Sequence, residues 1–330
     1  MTSTPMTLHV RCTEDLIAAA PLVLGFQPVD SVVMLTADGD HVFHARTSLP
    51  GLADPEDSAA HVAEMLLGPA RRNGLRRVVF LFFSDDARVA RRVWVALRRG
   101  CERSRLRIVD AARVEERRYY PLIGDRVLRE VGIAYDVTAH PFAAQAVLEG
   151  IVIEKDREAV VARVAADPGA QDAVRAVLLT AGLADAAPPR SGHERRRWGE
   201  WLQEVVRRHT AGATVASDDE LARVGWCMQD VRVRDAAWAL IRRPEADRHQ
   251  AFWTDVVRRM PEALLPAPAA LLGWAAWQAG HGALAWVAID RCRTVDPSYG
   301  MAAILADCLD RAVPPDSLDC DIAWDEGLPD

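Results

Sequence analysis

The chain has 330 residues, of which 50% are hydrophobic and 26% charged, and its formal net charge is −7. These values are typical of a globular protein of about two domains, and they exclude collagen-like, disordered and disulfide-scaffold classes. No apolar run approaches the roughly 18 to 20 residues that span a bilayer. Glu14 and Asp15 precede the first apolar run, where a signal peptide would carry cations. We therefore expect a cytoplasmic protein with no membrane partner.

Sequence motifs identify no catalytic residue. The six cysteines form no C-x-x-C pair, and the chain has no glycine-rich nucleotide motif, no nucleophile elbow and no H-E-x-x-H motif. We accordingly expect no metal and no cofactor. The cysteines are interpreted as small hydrophobic residues in a reducing compartment.

The first half of the chain alternates between helical and strand patterns. Its predicted elements are a helix from 13 that ends by Gly25, a strand over 32–35, a turn at Asp38-Gly39, an antiparallel strand over 42–47, a helix over 56–73, a central strand over 78–83, a helix over 87–99, a strand over 106–109, and short helices over 142–148, 157–165 and 171–181. A β-hairpin followed by helix, strand, helix and strand predicts an α/β N-terminal sandwich.

The second half carries helical patterns throughout. Residues 1–183 are predicted to form the α/β domain, 184–193 a linker rich in alanine and proline, 194–312 a helical repeat-like domain, and 313–330 an acidic tail. Helices are predicted over 194–210, 218–229, 232–243, 247–260, 267–279, 282–294 and 299–311. The expected fold is thus an α/β N-terminal sandwich followed by an all-α, tetratricopeptide-like C-terminal domain.

The tetratricopeptide comparison depends on residues 266–299. Gly273 and Ala285 are small residues where two antiparallel helices would touch, Gly280 marks the turn, and Pro297 follows the second helix. The match is good for one repeat, and the alternative is an ordinary helical hairpin. Either interpretation indicates a surface for contacts and specifies no chemistry.

The stretch DLIAAAPLVLGFQPVDSVV, residues 15–33, resembles the opening signature of an uncharacterised actinobacterial family, domain of unknown function 4192. Residues 140–163 are similar to the middle of that family, and residues 271–276 resemble its C-terminal part. Gln27 stands where members often carry histidine, and the tryptophan- and cysteine-containing insert of the family is absent around 117–125. The resemblance implies kinship and no particular activity.

Polar residues near the predicted strand ends are candidates for ligand binding, because pockets in open α/β sheets form outside the carboxyl ends of parallel strands. The candidates are Gln27, Asp30, Ser31, Ser84, Asp85 and Asp110. A pocket joining Asp30, Asp85 and Asp110 would favour a hydrolase-like enzyme. The alternative is that these side chains only shape turns or cap the helix that begins near residue 87.

Arginine is concentrated between residues 71 and 118, where fifteen arginines accompany six acidic residues. On the helix predicted over 87–99, the basic face consists of Arg88, Arg91, Arg92, Arg98 and Arg99. Such a face either attracts nucleic acid through its phosphates or is simply solvated. Lysine occurs once, so the abundance of arginine alone is not evidence for nucleic-acid binding.

Tryptophan provides the remaining candidates for interaction. Eight of the ten tryptophans lie between residues 198 and 286, and a groove lined by Trp274, Trp277 and Trp286 would favour a binding module. Residues 316–330 contain six acidic residues, no cation and Trp324. We expect this tail to dock on the arginine-rich segment or on another protein, unless it is disordered.

These patterns lead us to expect a protein-interaction or scaffold module with an unknown protein partner, and a site for a small anionic ligand on the α/β domain. A hydrolase-like enzyme with carboxylates at the strand ends and a nucleic-acid-associated protein with the basic face of residues 71–118 are the two alternatives.

Overall fold

The computed structural model describes residues 8–36, 43–55, 57–148, 151–318 and 321–329. It contains two compact units. The first comprises residues 1–157 with 310–312, and the second comprises residues 158–309 with 313–330. The predicted turn at Asp38-Gly39 lies outside the described residues.

The first unit is built on a six-stranded mixed sheet. Its strands are β1 (Ser31–Thr36), β2 (His44–Ser48), β3 (Arg77–Phe83), β4 (Arg107–Val114), β5 (Arg118–Pro121) and β6 (Ile133–Ala134), in the order β2-β1-β3-β4-β5-β6. β3 and β4 are parallel, while the other neighbouring strands are antiparallel. The predicted hairpin and the central place of the apolar run are both confirmed.

Helices cover both faces of this sheet, which gives a three-layer sandwich. The helices of the unit are α1 (Thr13–Leu24), α2 (Ser58–Arg72), α3 (Ala87–Ser104), α4 (Arg126–Val131) and α5 (Pro141–Leu148). α2 and α3 pack on the face that carries Val32, Phe80 and Phe82, and α1 packs on the face that carries Val33 and Leu81. Because successive side chains along a strand point to opposite faces of the sheet, each central strand contributes side chains to both cores.

β4 is longer than predicted, and this changes the expected site. The strand continues past Asp110 to Val114, so Asp110 lies within the strand opposite Val79. The prediction that Asp110 marks the carboxyl end of this strand is therefore wrong. A polar residue at 110 and an arginine at 113 interrupt the apolar pattern by which the strand end was judged.

The second unit is helical. Its helices are α6 (Arg157–Arg163), α7 (Pro168–Thr180), α8 (Gly192–Gly212), α9 (Asp218–Cys227), α10 (Val231–Trp238), α11 (Ala246–Arg259), α12 (Pro266–Gln278), α13 (Gly282–Val295) and α14 (Gly300–Asp310). The predicted helices of the second half are thus present, with shifted ends. At the start of α9, Ser217 and Glu220 form the reciprocal pair of hydrogen bonds that their spacing indicates.

The boundary between the units differs from the predicted one. α6 and α7, expected in the α/β domain, belong to the helical unit, where Asp167 N donates to Arg258 O at 2.8 Å and Gln171 Nε2 donates to Met260 O at 2.9 Å. Residues 184–193, expected to be a linker, also lie within this unit. There Ala186 O accepts a hydrogen bond from the Trp226 indole. Composition alone does not reveal these long-range bonds.

α12 and α13 form the hairpin predicted for residues 266–299. Gly280 has φ +86° in the turn, a conformation that glycine adopts without strain. A Cβ on Gly273 would make ordinary contacts with α13, at 3.5 Å from Ala285 O and 3.6 Å from the Cβ of Ala288, but it would lie only 2.9 Å from the Leu305 side chain of α14. The absence of a side chain at Gly273 therefore makes room for Leu305. Among the described residues, no helix is both long and apolar enough to cross a membrane.

Candidate functional site

The carboxyl end of β3 brings together two of the predicted ligand-binding residues. Ser84 Oγ donates to Asp30 Oδ1 at 3.3 Å and accepts from Asp86 N at 3.2 Å. Asp30 has φ +40°, and its carbonyl accepts from Leu49 N. Asp86, and neither Ser84 nor Asp85, caps α3 by accepting from Arg88 N and Val89 N. The arrangement therefore presents one hydroxyl bonded to one carboxylate.

Next to this pair lies a buried arginine that the sequence did not single out. Arg113 is 8% exposed and donates to Ser84 O at 3.3 Å. Its guanidinium forms an ion pair with Glu115 and lies 4.2 Å from the centre of the Tyr120 ring. Tyr120 also donates to Glu115 at 3.2 Å. Because this arginine has its own counterion, the cluster ties the strand ends together and is not a free anion site.

The other predicted residues are not part of this cluster. Asp110 accepts from Thr13 Oγ1 at 2.7 Å, four residues before the end of β4, or on the order of 13 Å along the strand. Ser31 is fully buried, and its Oγ bonds to no described residue. Asp85 and Gln27 are exposed. The pocket of Asp30, Asp85 and Asp110 that would favour a hydrolase-like enzyme is therefore not formed by the described residues, since Asp110 is bound to α1.

The predicted basic face lies on α3. Arg88, Arg91, Arg98 and Arg99 are exposed, whereas Arg92 is half-buried. The side chain of Arg92 donates to the carbonyls of Asp54 and Pro55. Arg98 makes a 3.6 Å ion pair with Glu102 one turn away, which contributes little at such exposure. Four of the five arginines therefore present charge to solvent.

The expected tryptophan groove is not a surface feature. Trp274 and Trp277 are 3% and 4% exposed, and their rings pack edge to face with centroids 5.0 Å apart. Trp286 is half-buried. Trp274 and Trp277 belong to the helical core, because tryptophans at helical spacing on a helix that is buried along nearly its whole length have no exposed face. The prediction that Trp274 and Trp277 form an exposed surface for contacts is therefore wrong.

Trp324 differs from these tryptophans, because it docks a terminal segment onto two helices. It is 8% exposed, and its six-membered ring lies over Gly199 of α8. A Cβ at Gly199 would lie only 2.1 Å from ring atom Cζ3, so any larger residue would displace the ring. Pro329 of the same segment lies equally close to Gly192 of α8, since a Cβ on Gly192 would lie 2.5 Å from the Pro329 ring. Two glycines of α8 thus form a notch for this segment.

Two arginines bind the backbone of the same segment. Arg232 of α10 donates to Trp324 O at 3.1 Å and to Glu326 O at 3.0 Å. Arg196 of α8 donates to Leu328 O at 3.0 Å and also to the carbonyl of Pro329. Bonds from a charged donor are stronger than those between neutral groups. We name the surface formed by Gly192, Arg196, Gly199 and Arg232 the tail groove.

Acidic side chains of the tail add ion pairs around the tail groove. Asp321 Oδ1 lies 2.9 Å from Arg242 Nη2, Asp316 lies 3.4 Å from Arg243, and Asp325 lies 4.0 Å from Arg196. All three carboxylates are about half or more exposed, so these pairs orient the segment more than they hold it. The expectation that the tail docks on the arginine-rich segment of residues 71–118 is wrong for the described residues, because the arginines that these carboxylates contact belong to the helical unit. Docking of the tail on another protein stays a prediction.

The start of α8 is fixed by its own capping box. Glu194 accepts from the backbone N–H groups of Ser191 and Arg190 and from the Ser191 hydroxyl, and these bonds lower the pKa of Glu194 to about 2. The carboxylate therefore stays charged at neutral pH and keeps the first turn of α8 in place. That turn carries Gly192 and leads to Arg196, so the cap positions half of the tail groove.

Sequence reasoning found the aromatic anchor and missed its receptor. Trp324 stood out because it is surrounded by acids, but Gly199, Arg196 and Arg232 lie in a stretch where arginine is common. The one available signal was a glycine in the middle of a strongly patterned helix, which usually has a packing reason. Among the described residues, no group of three or more His, Cys, Asp or Glu side chains is placed to hold a metal.

Comparison with known protein families gives a match over most of the chain. The profile of a family described as domain of unknown function (DUF4192) matches residues 14–316. No curated protein and no solved structure matches. The match ends at residue 316, before the segment that carries Trp324.

Proposed function

From the premise that the chain belongs to the DUF4192 family, we propose that it is a protein-interaction module whose helical unit recognises acidic peptide segments with a tryptophan anchor. Its own residues 321–329 occupy the tail groove and serve as the example of what the groove accepts. The observation that carries the proposal is Trp324 in the notch at Gly199, with the adjoining carbonyls bound by Arg196 and Arg232.

The chemistry of the tail groove suits an exchangeable peptide. The arginines bind main-chain carbonyls, which every peptide has, while the notch selects a flat aromatic side chain. Tryptophan and arginine are the residues that most often dominate binding energy at protein interfaces. The hairpin of α12 and α13, with its tetratricopeptide-like sequence pattern, supports the same role, because stacked helical hairpins commonly present binding surfaces.

A peptide exchange experiment tests this function. A fluorescein-labelled peptide with the sequence of residues 321–330 is titrated into the full-length Trp324→Ala protein and into the wild type, and fluorescence polarisation is read. We expect the variant to bind at least tenfold more tightly, because in the wild type the attached tail competes at an effective concentration of about millimolar. A peptide with alanine in place of tryptophan is the matched control ligand.

Two further variants separate the groove from general charge. Arg232→Ala in the Trp324→Ala background should weaken peptide binding at least fivefold, whereas Arg91→Ala, which removes the same charge from α3, should not. The proposal fails if the Trp324→Ala protein binds neither peptide, or if it binds both peptides equally well.

A second candidate function is association with nucleic acid through α3. It is supported by the exposure of Arg88, Arg91, Arg98 and Arg99 on one helix, with Glu102 as the nearby acid. Four phosphate contacts correspond to a slope of about −3.6 in a plot of log binding constant against log salt for double-stranded DNA. Replacing the four arginines with glutamine should abolish this slope. Absence of binding at 50 mM salt would remove this candidate.

A further inference from the structure

The tail groove makes close contacts with a second ring of its segment besides that of Trp324. The ring of Pro329 lies against Gly192, where an added Cβ would be 2.5 Å from Cδ and 2.9 Å from Cγ. Only proline carries a Cδ atom bonded to its own backbone nitrogen, so no other residue type makes this contact from the same backbone position. The groove therefore receives a tryptophan at Gly199 and a proline at Gly192.

The spacing of these two glycines restricts the path of the segment between its two rings. Gly192 and Gly199 are seven residues apart on α8, which is about two helical turns and about 10.5 Å along the helix. Trp324 and Pro329 are five residues apart, and an extended chain of that length spans about 17 Å. The backbone between the two rings therefore has to be shorter than an extended one.

A tight turn at Gly327 provides this shortening. Leu328 N donates to Asp325 O at 3.0 Å, and Gly327, the third residue of that turn, has φ +73°. A positive φ at the third position is the feature of a type II turn, and an L-residue with a side chain adopts it only with strain. A Cβ on Gly327 would meet nothing within 4 Å, so the need for glycine is conformational and not steric.

The folded backbone also lets one arginine bind several carbonyls of the segment. Arg232 Nη1 donates to Trp324 O at 3.1 Å and to Ala323 O at 3.4 Å, and its Nη2 donates to Glu326 O at 3.0 Å. Carbonyls of adjacent residues point to opposite sides of an extended strand, so a straight segment could not present Ala323 O and Trp324 O to one guanidinium. The arginine therefore binds the turned form of the backbone.

We propose that the tail groove recognises the pattern W-x-x-G-x-P, both in its own tail and in peptides that replace the tail. The inference rests on the proposed function and adds two requirements to the tryptophan anchor. The third residue after the tryptophan turns the backbone, and the fifth packs its ring on Gly192. Acidic residues between them strengthen attraction without setting the register, because the half-exposed carboxylate of Asp325 lies 4.0 Å from Arg196.

Variants of the peptide 321–330 test the pattern by competition with the labelled wild-type peptide for the full-length Trp324→Ala protein. L-alanine in place of Gly327 should weaken binding at least about fivefold, because it disfavours the positive φ. D-alanine at the same position adds the same atoms and favours a positive φ, so this peptide should bind within about twofold of the wild type. Pro329→Ala should weaken binding at least about threefold, since it removes the ring.

A double-mutant cycle tests where the proline ring binds. Gly192→Ala in the Trp324→Ala protein should weaken binding of the wild-type peptide and leave binding of the Pro329→Ala peptide unchanged, since the added methyl meets only the ring of Pro329. The matched control is Gly282→Ala. Gly282 is likewise the first residue of a helix, and a Cβ there would meet nothing within 4 Å.

The same changes in the attached tail test the pattern without peptide exchange. In the otherwise wild-type chain, Gly327→Ala and Pro329→Ala should each accelerate chymotrypsin cleavage after Trp324 at least about threefold, relative to cleavage of the corresponding free peptide. Faster cleavage of these variants, with no binding of free peptides, would support the pattern in the tail while the proposed exchange fails.

Three results would overturn the pattern. They are equal binding of the L-alanine and D-alanine peptides, equal weakening of both peptides by Gly192→Ala, and cleavage of the tail variants at the wild-type rate. If the tryptophan is needed for binding while the changes at Gly327 and Pro329 have no effect, the proposed function stands and the pattern fails.

Discussion

The arginines of α3 and those of the tail groove differ in what they bind. α3 carries the denser set, but Arg88, Arg91, Arg98 and Arg99 are exposed to solvent. Arg196 and Arg232 belong to a sparser set, and each donates to two or more carbonyls of one peptide segment. Charge density therefore does not locate the docking surface of an acidic segment in this protein. The docking surface is located by the notch at Gly199 and by arginine N–H groups within hydrogen-bond distance of the carbonyls of the tail.

The largest expected effect contrasts a buried arginine with an exposed one. Arg113→Met should lower the free energy of unfolding of the α/β unit by about 3 kcal/mol, because it leaves the partly buried Glu115 without its counterion. Arg91→Met, on the exposed face, should change it by less than about 0.5 kcal/mol. Urea denaturation followed by circular dichroism measures both. Equal effects would mean that the Arg113 cluster is not a structural tie.

The notch predicts the next effect in size. Gly199→Ala should expel the Trp324 ring and weaken docking of the tail by about 1 to 3 kcal/mol, which is the usual result of overpacking a tight contact. The matched control is Gly282→Ala, since nothing lies within 4 Å of the added methyl there. Chymotrypsin cleavage after Trp324 should become at least about fivefold faster in Gly199→Ala, since 1 kcal/mol corresponds to about a fivefold change, and stay unchanged in Gly282→Ala. Equal rates in both would contradict the notch.

These contrasts also show how far the sequence could be interpreted. The apolar run at 78–83 and the caps at Ser191 and Ser217 have local causes, so the central strand and the helices of the second half were predictable. The length of β4 was not predictable from the sequence, because the last residues of the strand include Arg113. The burial of Arg113 depends on Glu115 and on a tyrosine from the next strand. The receptor for Trp324 depends on helix contacts more than 90 residues away in sequence.

pH gives a third contrast, between arginines that are always charged and a histidine that burial keeps neutral. His249 is 2% exposed, and loss of hydration lowers its pKa to about 4 from 6.5. Below pH 6.5 the unfolded chain takes up a proton that the folded chain does not. Stability is therefore complete above pH 6.5 and is lost as pH falls toward 4, by about 2 kcal/mol at pH 5 from this residue.

The measurement for this prediction is urea denaturation at pH 7 and pH 5. His249→Gln should reduce the loss by about that amount, since glutamine does not titrate. An unchanged difference between the two pH values in the variant would show that other groups cause it.

The smallest expected effect separates side-chain ion pairs from bonds to the backbone. Arg242→Ala removes an ion pair whose carboxylate partner is 98% exposed, so it should weaken docking of the tail by less than about 0.5 kcal/mol. Arg232→Ala removes bonds to three carbonyls and should cost clearly more. The rate of chymotrypsin cleavage compares the two variants. If Arg242→Ala weakened docking more than Arg232→Ala, docking of the tail would depend on general electrostatic attraction and not on hydrogen bonds to its backbone.

Hydrogen exchange of full-length Trp324→Ala against the wild type tests most directly whether the tail docks on α8 and α10. We predict faster exchange in residues 321–329 and in the facing parts of α8 and α10, with α3 unchanged. Faster exchange in α3, with α8 and α10 unchanged, would contradict the account and assign the acidic segment to the basic face.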